Sequence, residues 1–130
     1  MNIWVNGCFD VLHIGHIKLL EYAKSFGNHL VVGIDSDTRV SELKGENRPY
    51  NNQKNRKEFL ESIKYVDNVV IFDNESELKN YLIKYKIDII VIGDEYKDKR
   101  IVGSDIINNV YFFEKLPNLS TTNILNNGTQ

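Results

Sequence analysis

Two histidines three residues apart are the feature of this sequence with the clearest potential for chemistry. They lie in the stretch GCFDVLHIGH, residues 7–16, where Gly7 ends an apolar run and Gly15 separates His13 from His16. A helix that follows a strand and a short loop presents unpaired backbone N–H groups and a partial positive charge, which favour anions. If His16 lies in the first helical turn, both imidazoles can donate hydrogen bonds to phosphate oxygens from one side of that turn.

Two other interpretations of this histidine pair stay open at the level of the residues alone. A zinc site needs a third and a fourth ligand, and the remaining soft candidates, Cys8 and His29, complete no recognisable zinc pattern. Alternatively, both histidines only cap the loop. Three further polar clusters fall at the same predicted sheet edge, and they favour phosphate binding over either alternative.

The composition indicates one ordinary globular domain. The chain has 130 residues, of which 42% are hydrophobic and 26% charged, with a formal net charge of −2. That balance argues against a broad nucleic-acid or membrane surface, and no stretch approaches the roughly 20 apolar residues of a membrane span. The single cysteine, Cys8, excludes an internal disulfide and suits a reducing compartment. We expect one domain over residues 1–126, a frayed tail over 127–130, and a cytoplasmic location.

Apolar runs alternate with stretches of helical spacing along the whole chain. The sequence predicts strands over 2–7, 29–36, 68–72, 88–94 and 109–115, and helices over 17–26, 51–66 and 75–86. Residues 37–51 are predicted to form a long loop with at most one helical turn. This alternation predicts right-handed βαβ crossovers. The expected fold is α/β: a single Rossmann-like, doubly wound, parallel five-stranded sheet with helices on both faces.

In such a sheet, ligands bind beyond the carboxyl ends of the strands, so polar residues predicted there are candidates for the site. Lys44 is either a solvated loop lysine or a mobile cation over bound phosphate. Arg56 shares a polar helical face with Lys54 and Lys57, and from the residues alone a solvated face is favoured. Asp94 follows the fourth strand and suits either a ribose hydroxyl or a plain turn.

A serine–threonine cluster near the end of the chain is the last candidate. Ser120, Thr121 and Thr122 precede a short predicted helix, so their hydroxyls could cap that helix or bind phosphate. Without further context, capping is favoured.

The order of these motifs resembles the cytidylyltransferase-like family of nucleotidyltransferases over residues 2–126. The similar segments, in chain order, are NGCFDVLHIGH, LKGENRPYN, NRKEFLESIKYVDNV, GDEYK and LSTTNIL. Within the family the chain is most similar to bacterial adenylyltransferases of D-glycero-D-manno-heptose 1-phosphate, and next to glycerol-3-phosphate cytidylyltransferases. The latter typically have an arginine before STT and a tryptophan after the fourth strand. Here the segment is EKLPNLSTT and the loop carries Tyr96, which weakens the case for CTP.

The resemblance implies in-line attack of an acceptor phosphate on the α-phosphorus of a bound NTP, with pyrophosphate leaving and no covalent enzyme intermediate. By the same resemblance, His13 and His16 hold the triphosphate and stabilise the transition state, while Lys44 neutralises the phosphates. The resemblance also implies amides near the α-phosphate, an extended phosphate shell and a ribose or acceptor contact. These nucleotide-binding residues are Gly7, Cys8, Phe9, Asp10, Gly15, Arg56, Asp94, Ser120, Thr121 and Thr122.

Cofactor and partners follow from the same resemblance. Mg²⁺ is expected to accompany the NTP, bound mainly by phosphate oxygens and water, with Asp10 as an indirect ligand or an orienting residue and no direct protein ligand predicted. The expected partners are ATP or CTP, a phosphorylated sugar or polyol, and a second copy of the chain in a homodimer. ATP with heptose 1-phosphate is favoured; CTP with glycerol 3-phosphate or another polyol phosphate is the alternative, and a non-catalytic nucleotide-binding module is a remote third.

Overall fold

The computed structural model of the chain describes residues 1–93 and 98–114. It contains the strands β1 (Asn2–Gly7), β2 (His29–Asp35), β3 (Asn68–Phe72), β4 (Ile89–Gly93) and β5 (Asn109–Phe113). The helices are α1 (Ile14–Lys24), α2 (Asp37–Lys44), α3 (Gln53–Glu61) and α4 (Glu75–Lys84). Each predicted strand is therefore present, to within about two residues at its ends.

The five strands form one parallel sheet in the order β3-β2-β1-β4-β5. This is the predicted doubly wound topology, in which the direction of strand addition reverses at β1. β1 pairs with β2 over six residue pairs, from Asn2–His29 to Gly7–Ile34. Within the described residues, β1 pairs with β4 only at Ile3–Ile89 and Trp4–Ile90. The sheet is thus least continuous between the carboxyl ends of β1 and β4, where such folds bind ligands.

Alternation along β1 produces one apolar core on each face of the sheet. Ile3 and Val5 face the core that contains Leu20 of α1 and Leu60 of α3. Trp4 faces the other core, which contains the buried leucines of α4. The predicted placement of helices on both faces is confirmed. The described residues contain no helix with the length and apolar character that crossing a bilayer requires.

The segment after β2 is helical, which corrects the prediction of a long loop over 37–51. Ser36 caps α2, because its hydroxyl accepts a hydrogen bond from the Arg39 N–H at 3.2 Å, and Val40 is buried against the domain. The helix ends at Lys44, with Gly45 as its C-cap. Three local signals favour this helix: the Ser36 cap, an acidic residue in the first turn and a lysine in the last turn. The polar composition of the segment made them hard to recognise.

The helix predicted over 51–66 is shorter in the structure, where α3 ends at Glu61. Ile63 and Val66 lie beyond its end yet still pack against the core. The apolar spacing continues past the helix because these side chains are partly buried against the core, and the prediction mistook that burial for helical periodicity.

Candidate active site

The two histidines form the start of α1. His13 is the N-cap, and its Nδ1 accepts a hydrogen bond from the Gly15 N–H at 3.0 Å. In return, the His13 N–H donates to Nδ1 of His16 at 3.2 Å. The ring centroids lie 4.0 Å apart. His16 is in the first helical turn, as the phosphate interpretation required, and the two rings lie side by side.

This cap decides which tautomer each neutral imidazole adopts. A ring nitrogen that accepts a hydrogen bond carries no proton, so the proton of each neutral ring is on Nε2. Both rings therefore use Nδ1 to accept hydrogen bonds from main-chain N–H groups at the start of the helix. The capping interpretation and the phosphate interpretation are compatible, because they use different nitrogens.

Phe9 adopts an unusual backbone conformation directly after β1. Its φ is +51°, a region that bulky side chains rarely occupy. The ring is only 5% exposed and its centroid lies 5.3 Å from that of His16. A Cβ at Gly7 would lie 3.1 Å from Cε2 of Phe9, so the glycine gives the ring its space. The turn at the end of β1 thus places an aromatic ring against one of the two histidines.

Asp10 binds the segment that precedes α3. Its side chain is buried, at 3% exposure. One carboxylate oxygen accepts from the Tyr50 N–H at 2.7 Å and from Nε of Arg48 at 3.2 Å, and the other accepts from the Asn51 N–H at 2.7 Å. Both oxygens are thus engaged by protein donors. This geometry supports the orienting role predicted for Asp10 over a role as a metal ligand.

Arg56 is fully buried, at 0% exposure, which corrects the expectation of a solvated helical face. Its guanidinium donates to the carbonyls of Cys8 at 3.0 Å and Asp35 at 2.7 Å, which follow β1 and end β2 respectively. It also donates to the Asn51 carbonyl at 2.9 Å and to the Asp37 carboxylate at 2.8 Å. Arg56 therefore joins four segments at the carboxyl edge of the sheet. Its predicted contact with phosphate stays a prediction.

Lys44 is exposed in the last turn of α2. Burial raises the pKa of the Cys8 thiol above its usual value, and the positive charges of Lys44 and then Arg56 oppose that rise. The Lys44 ammonium is therefore close enough to act on the residue that follows β1. The raised pKa keeps the thiol protonated at neutral pH, which agrees with a structural role for Cys8.

The remaining predicted site residues divide into two groups. The Gly15 N–H lies in the first turn of α1 and is engaged by the His13 cap. Four predicted nucleotide contacts lie outside the described residues: Asp94, Ser120, Thr121 and Thr122.

The positions of the potential ligands do not support the zinc interpretation of the histidine pair. Among residues 1–93 and 98–114, no three His, Cys, Asp or Glu side chains are grouped as metal ligands. The two soft candidates for zinc are separated, since Cys8 follows the carboxyl end of β1 while His29 begins β2. His29 Nε2 is instead 2.7 Å from Oδ1 of Asn68.

Asn51 is a residue of the hydrogen-bond network around Asp10 and Arg56 whose role the sequence did not predict. Its N–H, its carbonyl and its side-chain amide all take part in hydrogen bonds, the last of these to the Asp10 carbonyl at 2.5 Å. The available signal was its position directly before Asn52, which caps α3.

Fold and geometry together define a Rossmann-like α/β domain with paired histidines at a helix start beside the strand-order reversal. The sequence matches the cytidylyltransferase-like family over residues 4–126. The chain therefore belongs to this family, as predicted. The predicted enzyme class, a nucleotidyltransferase, agrees with that membership.

Similar curated proteins carry the name bifunctional protein HldE. The one from Campylobacter fetus subsp. fetus (strain 82-40) is 47% identical over 124 residues, which cover 95% of this chain and 27% of that protein. The one from Aliarcobacter butzleri (strain RM4018) is 44% identical, covering 95% and 26%. The chain thus spans about a quarter of the length of these relatives.

A solved structure has the same fold. The crystal structure of the lipopolysaccharide core biosynthesis protein from Thermoplasma volcanium GSS1 superposes with a TM-score of 0.69 at 26% identity. The match covers 89% of this chain and 96% of that one.

Proposed function

We propose that this chain is a nucleotidyltransferase that transfers the adenylyl group of ATP to D-glycero-D-manno-heptose 1-phosphate, giving ADP-heptose and pyrophosphate. The observation that carries the proposal is the pair of imidazoles at the start of α1, whose Nδ1 atoms each accept a hydrogen bond from a main-chain N–H group and so place the proton of a neutral ring on Nε2. Neutral N–H donors at a helix N-terminus suit a triphosphate, and they can strengthen their hydrogen bonds as charge develops on the departing pyrophosphate.

In this proposal the chain supplies positioning and charge rather than a nucleophile. His13 and His16 bind the β- and γ-phosphates and stabilise the pentacoordinate transition state. Lys44, exposed at the end of α2, closes over the phosphates and offsets their charge. Asp10 and Arg56 act indirectly in this proposal, because their hydrogen bonds fix the loops that carry these groups. Mg²⁺, bound to the NTP through phosphate oxygens and water, would supply further charge neutralisation.

The identity of the acceptor is supported by the relatives. The name bifunctional protein HldE, carried by proteins 44–47% identical to this chain, agrees with the first candidate. The neighbour described as a lipopolysaccharide core biosynthesis protein agrees with a sugar phosphate. We take the quarter of the relatives that this chain matches to be the unit that carries nucleotidyl transfer.

A second candidate is a CTP:glycerol-3-phosphate cytidylyltransferase. The segments HIKLLEYAK and YVD favour it, since they are similar to those enzymes. Tyr96 in place of tryptophan and the lack of an arginine before STT favour the first candidate.

A matrix of substrates tests the proposal. ATP, CTP, GTP and UTP are each combined with heptose 1-phosphate, glycerol 3-phosphate and other polyol phosphates, and released pyrophosphate is measured in the presence of Mg²⁺. We expect the largest kcat/KM for ATP with heptose 1-phosphate. A maximum for CTP with glycerol 3-phosphate would support the second candidate. Binding of nucleotide without pyrophosphate release from any pair would favour a non-catalytic module.

The assembly and the setting of the enzyme complete the proposal. We propose one nucleotidyltransferase domain over residues 1–126 that forms a homodimer in the cytoplasm. Light scattering coupled to size exclusion tests the dimer, because one chain has a mass of 15.1 kDa.

A further inference from the structure

Two hydrogen bonds bracket the left-handed residue Phe9. On one side, Nη1 of Arg56 donates to the Cys8 carbonyl at 3.0 Å. On the other side, Nδ2 of Asn51 donates to the Asp10 carbonyl at 2.5 Å. A bulky residue with φ near +51° keeps that conformation only where its surroundings fix it. The Cys8 carbonyl belongs to the peptide plane directly before Phe9, and its hydrogen bond restricts rotation of that plane. The Asp10 carbonyl belongs to the next residue along the chain, so its hydrogen bond fixes the residue that directly follows Phe9.

The two donors are themselves joined. Nε of Arg56 donates to the Asn51 carbonyl at 2.9 Å, and the Asn51 N–H donates to Oδ1 of Asp10 at 2.7 Å. Asn51 therefore contributes its N–H, its carbonyl and its side-chain amide to one network. A shift of this residue would disturb both sides of the bracket at once.

We propose that Asn51 is a positioning residue that acts through Phe9 to hold the His16 imidazole in place for nucleotidyl transfer. This inference rests on the proposed function. The Phe9 ring is almost fully buried and packs against His16, with the centroids 5.3 Å apart and the planes inclined at 59°. Loss of the Asn51 side-chain donor would loosen Asp10, the residue directly after Phe9. The Phe9 backbone would then relax toward negative φ, and the ring would leave His16. A misplacement of about 1 Å in a catalytic group can cost on the order of 10²-fold in rate.

The chain offers a matched pair of variants, Asn51→Asp and Asn52→Asp. The first replaces the donor to the Asp10 carbonyl by an oxygen that repels it. The second adds the same charge one residue later, where Oδ1 of Asn52 caps α3 by accepting from the Asn55 N–H at 2.8 Å, and aspartate caps a helix equally well. We expect kcat to fall on the order of 10²-fold for Asn51→Asp with a smaller change in KM, and to stay at the wild-type value for Asn52→Asp.

A second measurement requires no substrate. In the ligand-free protein, the ring current of Phe9 displaces the NMR signals of the His16 imidazole protons. We expect these signals to move toward those of a Phe9→Ala variant in Asn51→Asp and to stay in place in Asn52→Asp. Because this readout is independent of turnover, it tests the inference even if the proposed reaction is wrong.

A double-mutant cycle distinguishes action through Phe9 from general loss of stability. If Asn51 acts through Phe9, the change Asn51→Asp lowers kcat much less in a Phe9→Ala background than in the wild type. Asn51→Ala, which only deletes the donor, replaces Asn51→Asp in the cycle if the charged variant does not fold. Equal losses in Asn51→Asp and Asn52→Asp, additive losses in the cycle, or an unmoved His16 signal would each overturn the inference.

Discussion

The two edges of the sheet use the same kind of hydrogen bond to fix different parts of the molecule. At both, aspartate carboxylates accept hydrogen bonds from main-chain N–H groups of distant segments. At the carboxyl edge, Asp10 is buried and binds Tyr50 and Asn51, which belong to the loop between α2 and α3. At the amino edge, Asp67 and Asp88 are more exposed and accept hydrogen bonds from the N–H groups of Leu30 and Asn2, near the starts of neighbouring strands.

The amino edge fixes the register of the sheet. Asp67 directly precedes β3, and its Oδ2 accepts from the Leu30 N–H near the start of β2 at 2.7 Å. The same oxygen accepts from Nζ of Lys24, at the end of α1, at 2.5 Å. Asp88 accepts from the Asn2 N–H at 2.8 Å, at the starts of β4 and β1. These bonds align strands that already pair, so we expect them to contribute to stability rather than to activity.

The carboxyl edge, by contrast, fixes loops that do not pair with one another. Asp10 and Arg56 join the histidine loop, the end of β2, the start of α2 and the segment before α3. Both are almost completely removed from water. We therefore expect loss of a polar group at the amino edge to lower stability. Loss of a polar group at the carboxyl edge should lower activity, or activity and stability together.

The strongest test of this comparison is Arg56→Leu. The change leaves three main-chain carbonyls and the Asp37 carboxylate without their buried donor. We expect the free energy of unfolding to fall by about 3–5 kcal/mol, measured by urea denaturation, and turnover to fall as well. Arg100→Leu is the control, because Arg100 is 67% exposed where it pairs with Glu75. A resolvable loss in the control, or none in Arg56→Leu, would contradict the assignment.

His16→Ala compares histidines at the two edges. We expect kcat to fall on the order of 10²–10³-fold, far more than NTP affinity, because the hydrogen bond from Nε2 strengthens as charge builds. Steady-state kinetics and nucleotide titration measure the two quantities. His29→Ala at the amino edge should keep the wild-type kcat. Equal losses of rate and affinity in His16→Ala would assign it to ground-state binding.

Lys44→Ala should have a smaller effect. The ammonium is exposed, so solvent screens its charge, and we expect kcat to fall on the order of tenfold. Its control is Lys84→Ala, an exposed lysine in the last turn of α4 at the opposite edge. Unchanged kinetics in Lys44→Ala would show that this lysine is merely solvated.

Asp67→Asn should have the smallest effect and leave activity intact. Desolvation raises the pKa of Asp67, but the hydrogen bonds from Lys24 and the Leu30 N–H outweigh it, so the net pKa lies below the usual value. The carboxylate therefore contributes stability above its unfolded pKa, which is lost as pH falls through the folded pKa.

Denaturation measured across acidic pH checks this. We expect Asp67→Asn to lose about 1 kcal/mol at neutral pH and to show a weaker decline in stability on acidification. The wild type and the variant should converge at low pH. A variant that loses turnover while it stays folded would remove the distinction between the edges.

The sheet could be predicted almost completely from the sequence, because buried parallel strands are continuous apolar runs with polar boundaries. The runs at 2–7 and 68–72 match β1 and β3 residue for residue. The prediction of a long loop over residues 37–51 was wrong because the polar composition, with Gly45 and Pro49, favoured a loop more strongly than the capping residues favoured a helix. In the structure, Ser36 and Gly45 instead mark the two ends of a helix.

The site was predictable only in part. His13 and His16 stand out because their residue type and spacing are local. The roles of Arg56 and Asn51 depend on contacts with residues up to 48 positions away in the sequence, which no periodicity encodes. Phe9 was predicted through its amide, and the contact of its ring with His16 follows only from the left-handed turn.

The short pairing between β1 and β4 has one more consequence. Two residue pairs join a three-stranded piece of the sheet, which carries the histidines, Lys44 and Arg56, to a two-stranded piece formed by β4 and β5. The predicted contacts Asp94 and Ser120–Thr122 follow these last two strands. A nucleotide that touches both pieces would bridge the shortest of the strand pairings that the structure describes. Substrate should therefore protect the β1–β4 amides from hydrogen exchange more than those between β2 and β3.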